Sequence, residues 1–494
     1  MAASTKLVAS DLPIETWTHI IQFLQYSHQI PFLHVSRSFH AIAVRFVFAS
    51  IRIYLVGKES SEFFAMSYGP PLPSDEILER SMQRSWEILQ HIKDNPEFAS
   101  VVKTIIVVAM ADSHSIFEKL CLIQALQAIP RLRSFYWFGR SPELSEGLTA
   151  SLPPSLRNLS LETVPSPTML QHLNQITHLR LVHPFYYARN THDIVHDDHW
   201  SEELADSEST VVIVKSMAVT LKELSLVARN VSEMPIRMYS ALTTLDICAT
   251  FNSDVASMEL VFRHAPLLEC LSLVGHISVD IFSILPNDST SLPYLRSFRL
   301  SCEEVALPVI SHEAIRVLSV FLEGRSLLRR LFVRLAGASW YTLSDLLPTI
   351  ESLVNLEVLG FHAGYRYLEW EDFNQLASLF SSKLKAVHIA IPWNHQDSAT
   401  IDVNALWPLL FYLGKLPRLT FLHLYGIGRY LPIVPEDLVN EVQHLETVGL
   451  NRVLWDVDKS QAEVKLTEWP PWRLKFSVEE DFACPDDAWL MTYH

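Results

Sequence analysis

The sequence predicts an α/β fold, a solenoid with parallel strands inside and helices outside, behind a short helical N-terminal segment. Three observations predict it. Apolar triplets with the spacing LxxLxL recur a dozen times between Leu132 and Leu450. Between them lie stretches with apolar residues at i, i+3, i+4 and i+7, the spacing of an amphipathic helix. Ahead of both, residues 11 to 48 hold three short apolar segments separated by polar residues.

The leading segment reads DLPIETWTHIIQFLQYSHQIPFLHVSRSFHAIAVRFVF. Pro13 stands where a helix would begin, its φ already fixed. Glu15 lies in the first turn, where a carboxylate suits the positive end of the helix dipole. Trp17, Ile20, Ile21 and Leu24 fall on one helical face, and Phe32 to Arg37 and Phe39 to Phe48 give two further segments. Three short helices make too little core to bury every apolar face, so a partner or the rest of the chain must cover the surplus. With its Leu-Pro-x-Glu start, its Ile-Ile-x-x-Leu helix and its Val-Ser-Arg ahead of an aromatic, the segment resembles an F-box, departing from it at His28-Gln29 and Pro31. The resemblance implies docking onto the Skp adaptor, and through it onto the cullin and RING subunits of a ubiquitin ligase. The implied adaptor contacts are Leu12, Pro13, Ile20, Leu24 and Val35.

The body is a repeat. Leu132-Phe135-Trp137 opens it, and Leu156-Leu159-Leu161, Ile176-Leu179-Leu181, Leu221-Leu224-Leu226, Leu242-Leu245-Ile247 and Leu268-Leu271-Leu273 follow. Leu295-Phe298-Leu300, Leu328-Leu331-Val333, Leu356-Leu359-Phe361, Leu384-Val387-Ile389, Leu419-Leu422-Leu424 and Leu445-Val448-Leu450 complete it. The pattern is that of a leucine-rich repeat with long, irregular units. The last two apolar positions alternate with a third residue, the period of a strand with one buried face. Helical spacing follows at Met258-Val261-Phe262-Ala265, Leu343-Leu346-Leu347-Ile350, Phe373-Leu376-Ala377-Phe380 and Leu406-Leu409-Leu410-Leu413. Strand and helix repeated with right-handed crossovers give a horseshoe. The asparagine that usually follows such a strand is replaced by Val164, Thr250, His276 and Gly364, so the turns must be held in another way.

The rhythm breaks once, between Ile176 and Leu221, in an acidic insertion at about residues 183–215. His192, His196 and His199 stand there beside carboxylates, a spacing that could gather imidazoles on a metal. The reading preferred is a solvated acidic loop without metal. The expected organisation is an F-box-like helical domain at residues 10–52, a helical connector at 53–99, the solenoid at 100–452 and a C-terminal cap at 453–494.

Composition excludes several classes. Lys and Arg number 39 against 55 Asp and Glu, a net charge of −16, which disfavours binding to nucleic-acid phosphates. The first residues, MAASTKLVASDLP, hold no secretory apolar region, and no apolar run is long enough to span a membrane. Five dispersed cysteines suit a reducing compartment, cytoplasmic or nuclear. No phosphate-binding glycine loop, nucleophile elbow or HExxH motif is present, and the reading is a non-enzyme that needs no cofactor.

Near the end, Glu479-Glu480-Asp481-Phe482-Ala483-Cys484 and Asp487-Ala488-Trp489-Leu490-Met491, after Trp469-Pro470-Pro471-Trp472, resemble the closing segment of F-box proteins with degenerate leucine-rich repeats, of the type abundant in fungi. A Trp-rich tail of this kind can cover the exposed edge of a last repeat. The resemblance implies a substrate-recognition subunit of a Skp-cullin-F-box ligase. The alternative is a leucine-rich-repeat scaffold that acts outside any ligase.

In LxxLxL the residues flanking and separating the last two apolar positions point to the concave face. Early repeats present Asn158, Ser160, Glu162, Glu223, Ser225, Thr244 and Asp246 there. Later repeats present Arg299, Arg330, Phe332, Arg334, His362, His388, Phe421, His423 and Tyr425. Arginines and aromatics are the residues of interface hot spots, and guanidinium forks suit carboxylates and phosphates. The later half is therefore expected to be an open surface for an acidic or phosphorylated segment of a protein substrate, unless its arginines pair with neighbours such as Glu303 and Glu357.

Overall fold

The computed structural model describes residues 12–24, 26–56, 75–110, 116–181, 207–249, 255–287, 290–302, 310–365, 368–377, 380–393, 406–459, 463–470, 473, 477–482 and 484–492. The chain divides into two compact units, Met1–Ile176 and Thr177–His494.

The first unit begins with a helix at Ile14–Gln22, a helical turn at Tyr26–Gln29, a 3-10 turn at Ile30–His34 and a helix at Arg37–Val47. Four strands follow, β1 (Ser50–Val56), β2 (Thr104–Met110), β3 (Ser134–Ser141) and β4 (Asn158–Leu161). They pair in chain order and in parallel. The ladder thus starts at Ser50, ahead of the first leucine triplet. Its first two strands bury Ile51, Ile53, Leu55, Ile105 and Val107, mostly β-branched residues in place of the leucine pattern. Helices at Asp75–Asp94 and Ile116–Ala128 make the longer connections.

In the second unit β5 (His178–Arg180), β6 (Glu223–Val227), β7 (Thr244–Ala249), β8 (Cys270–Gly275), β9 (Ser297–Cys302) and β10 (Arg330–Leu335) continue the style. So do β11 (Val358–His362), β12 (Ala386–Pro392), β13 (Phe421–Ile427) and β14 (Thr447–Leu450). Each pairs in parallel with the next. β15 (Val453–Asp458) and β16 (Lys465–Glu468) then close the ladder antiparallel. The central residue of every triplet lies in a strand, so this is an α/β leucine-rich-repeat solenoid.

The triplet residues face the helices. Phe298 of β9 meets Phe321 of the helix His312–Leu322 at 5.0 Å between ring centres, and Phe361 of β11 meets Trp340 at 6.5 Å. Ser311 caps the first of these helices, its Oγ accepting from Ala314 N at 3.2 Å.

The turns lack an asparagine ladder and use mixed acceptors. In the first unit the Glu162 carboxylate accepts from the Gly139 N–H. In the second, His362 Nδ1 accepts from Gly364 N at 3.3 Å, where φ is +88°. After β14, Asn451 Oδ1 accepts from Gly426 N at 3.1 Å and Leu431 N at 3.2 Å. Thr250 and residues 183–206 of the insertion, with His192, His196 and His199, lie outside the described residues. The insertion's end, expected as a solvated loop, is instead part of the helix Ser207–Met217, which buries Val211, Ile213 and Val214.

Candidate interaction surfaces

Two surfaces collect the residues singled out from the sequence, and each lies within one unit. The first belongs to the N-terminal helices. Pro13 sits one position before the helix, not at its first residue, and its carbonyl accepts from Thr16 N at 3.0 Å and Trp17 N at 3.2 Å. The single apolar stripe splits: Ile21 is fully buried, Trp17 and Leu24 are half-buried and Ile20 is exposed. Trp17 stands edge-on to Phe39 at 4.9 Å, and Ile42, Ala43 and Val47 complete a small core.

Gln29, at a departure from the F-box pattern, is buried, and its Nε2 donates to Ile21 O at 3.1 Å and Leu24 O at 2.8 Å. It ties the carbonyls at the end of the first helix to the next turn. Ser36 Oγ accepts from Phe39 N at 3.3 Å and so caps the helix Arg37–Val47. The core leaves a large apolar remainder outside. Of the expected adaptor contacts, Pro13, Ile20 and Val35 are exposed, Val35 by 61%, while Leu12 and Leu24 are half-buried. Ile14, Tyr26, Ile30 and Phe23, exposed by 83%, join them. Phe23 was legible as i+3 of Ile20; Tyr26 opens a separate helical turn and Ile30 lies beyond the polar Ser27-His28-Gln29, where the spacing of the first helix gives no guide.

The second surface is the ladder face turned away from the helices. Its middle row is continuous in register: Ser225, Asp246, Ser272, Arg299, Phe332, Gly360, His388, His423, Gly449. The assignment of Arg299, Arg330, Phe332, His388, Phe421 and His423 to this face agrees with that register. Their expected exposure needs correction. Arg299, Phe332, His362, His388, Phe421 and His423 are all buried, Arg330 is mostly covered, and Arg334 and Tyr425 are half-buried.

What covers Arg299, Arg330, Phe332 and Phe421 is the chain's own end. The tail was expected to cap an edge, and β15 and β16 do extend the ladder there. The helix Pro485–Met491 instead lies on the face, against β11 and β12. Leu490 and Met491, with Trp469, pack on Phe332, Val358, Ala386, Phe421 and Leu454, and Phe482 and Trp489 flank them.

Arg299 is 0% exposed. Its guanidinium carbon lies 4.2 Å from the Phe332 ring centre and 4.6 Å from that of Trp489. Its Nη2 donates to the Trp489 carbonyl and, at 3.4 Å, to Leu490 O. Arg330 holds the Asp486 carboxylate through Nε at 2.7 Å and Nη2 at 2.6 Å. Arg329, which faces the same carboxylate at 3.9 Å, also pairs with Glu357 at 2.5 Å, and Lys385 joins Glu357 at 2.9 Å. Glu303 lies outside the described residues. Farther up the tail, Trp469 Nε1 donates to Asp456 Oδ1 at 2.7 Å, with the Arg473 guanidinium 3.6 Å over its ring.

The buried His362 and His423 are neutral. Burial pulls His362 down to about 3, with Arg334 adding its charge, and pulls His423 down to about 4. His423 Nε2 donates to Asn451 O at 2.7 Å, which leaves its Nδ1 to accept from His388 Nδ1 at 3.1 Å. The Phe332 ring stacks on His388 at 5.7 Å and 5°, passing over Gly360, where a Cβ would come within 2.0 Å of it.

The acidic early positions are engaged differently. Asp246 pairs with Arg180 at 3.4 Å across Ser225, Glu223 pairs with His178 at 3.0 Å, and Glu162 serves the turn described above. Among the described residues no three His, Cys, Asp or Glu side chains come together to hold a metal ion, and no helix is long and apolar enough to cross a membrane. What the two surfaces offer chemically is recognition: exposed apolar area on one, and arginine, aromatic and imidazole groups on the other.

No family model and no curated protein matches this chain. Among solved structures, a leucine-rich repeat-containing protein, LegL7, from Legionella pneumophila matches at 14% identity and a TM-score of 0.35, over 66% of this chain and 93% of its own. An internalin from Listeria monocytogenes matches at 12% identity and a TM-score of 0.31, over 90% of this chain and 98% of its own. At that distance nothing is carried over from either protein.

Proposed function

We propose that this chain is a protein-interaction solenoid that serves as the substrate-recognition subunit of a Skp-cullin-F-box ubiquitin ligase. The observation that carries this reading is the apolar surface left outside the N-terminal core, with Ile14, Ile20, Phe23, Ile30 and Val35 exposed within the segment that resembles an F-box. Apolar helix surface of this kind is stabilised by laying it into a partner's groove. In this reading Leu12, Pro13, Ile20, Leu24 and Val35 meet the Skp adaptor, and cullin and RING subunits follow through it. The ladder face of the second unit takes the substrate. The chain binds and positions; ubiquitin transfer belongs to the partners.

The test is purification of the tagged full chain from cells with and without proteasome inhibition, followed by mass spectrometry. The adaptor, cullin and RING subunits are expected in both samples, with at least one further protein enriched under inhibition. A stable set of partners that lacks the adaptor in both samples would favour the alternative, a scaffold outside the ligase.

A further inference from the structure

The C-terminal helix covers more than solenoid closure requires. The last parallel strand is already capped by the antiparallel strands β15 and β16. The helix lies several strands back from that edge, over a groove fitted to it. Gly360 lacks the Cβ that would collide with Phe332, so the Phe332 ring lies flat and forms a floor for Arg299. Arg299 and Arg330 then read three features of one short segment: the Asp486 carboxylate, the Trp489 ring and the carbonyls of Trp489 and Leu490.

The segment is an imperfect occupant. Asp487 is carried down with it and is only 4% exposed, and among the described residues nothing donates a hydrogen bond to its Oδ1. A buried carboxylate oxygen without a donor opposes docking. The helix has 7 residues, too few to persist once it leaves the groove. A specific groove and a compromised occupant together describe an exchangeable ligand.

We propose that the groove over β9 to β13 is a peptide-binding site for a partner protein bearing a carboxylate, then three residues later a tryptophan followed by two apolar side chains, and that residues 486–491 fill it until such a segment displaces them. This rests on the reading of the ladder face as the recognition surface and not on the ligase reading, since the adaptor takes no part in the test below. The partner is expected to lack the second carboxylate, whose Oδ1 finds no donor among the described residues.

The probe is a fluorescent synthetic peptide with the sequence of residues 479–494, titrated into the purified full chain and followed by anisotropy. The unaltered chain should bind it weakly, because its own tail competes. Trp489→Ala in the chain weakens that tail, and binding should tighten about ten-fold or more. A peptide carrying Asp487→Asn should bind tighter still. Adding Arg330→Glu to the chain should abolish capture, and a peptide carrying Asp486→Lys should restore it. If Trp489→Ala does not fold, by circular dichroism, Asp486→Lys in the chain opens the tail while leaving its apolar contacts in place. A folded, tail-weakened chain that ignores the peptide would overturn the proposal and make the tail a fixed cap. A concentration-dependent dimer of the unaltered chain, lost in Trp489→Ala, would also overturn it, since the exchanging occupant would then be a second copy.

Discussion

Arg299 shows how a cation comes to be wholly enclosed. Removing a guanidinium from water is expensive, and four contacts offset that here: two aromatic faces and two carbonyl oxygens. Arg299→Ala loses all of them and should lower stability by about 2–4 kcal/mol, seen as a lower urea midpoint at unchanged slope. Arg299→Met keeps apolar contact between the rings and should lose less; equal losses would mean the stacking contributes nothing. Gly360 gives a second residue-scale test. Gly360→Ala should cost about 1–3 kcal/mol by pushing on Phe332. In a background of Phe332→Leu most of that loss should vanish, a coupling of more than about 0.5 kcal/mol, whereas additive losses would deny the contact. The sequence placed Arg299 and Phe332 on the inner face through period-2 alternation alone. It could not show that they were covered, because the bond from Arg299 to Trp489 spans 190 positions and no local pattern encodes that distance.

At the scale of the element, legibility followed leucine. Strands β3 to β14 each carry a triplet and were read directly. β1 and β2 rely on isoleucine and valine and fall outside the template; β1 alternates in burial along most of its length, while β2 is buried at six consecutive positions. The tail helix was read as an edge cap because composition shows that a Trp-rich segment must bury itself and not where. Its docking has a pH signature. Burial pushes the Asp487 carboxyl up to about 7, with the charges of Asp486 and Glu446 adding and a hydrogen bond with Cys484 opposing. In a released tail the group returns to its ordinary value of 3.8, so docking takes up a proton between about 4 and about 7. The tail is therefore held most firmly below that window and loosens as pH rises through about 7. Amide hydrogen exchange at residues 485–491, corrected for intrinsic rates, should show greater protection at pH 5.5 than at pH 7.5 by this linkage, and Asp487→Asn should remove the difference. Unchanged or reversed protection would contradict it. Global melting is the wrong readout. His362 and His423 have lowered values of about 3 and about 4, so their contribution is whole above 6.5 and lost as pH falls through those values, the opposite sense.

For the whole molecule, a net charge of −16 coexists with three arginines, at 299, 329 and 330, gathered around the tail groove. That arrangement repels acidic macromolecules in general and accepts a carboxylate only where guanidinium groups and rings coincide. The N-terminal helices have the reverse character, an apolar surface with few charges, and their exposure supports the reading of the chain as an adaptor-bound receptor. The most direct test of that reading is the affinity of the purified Skp adaptor for the full chain, measured by titration calorimetry against the double variant Leu12→Ala, Pro13→Ala. The account predicts a one-to-one complex for the unaltered chain, weakened about ten-fold or more in the variant, with identical circular dichroism and melting of the two chains. No measurable binding by the folded, unaltered chain, or equal binding by the variant, would contradict it.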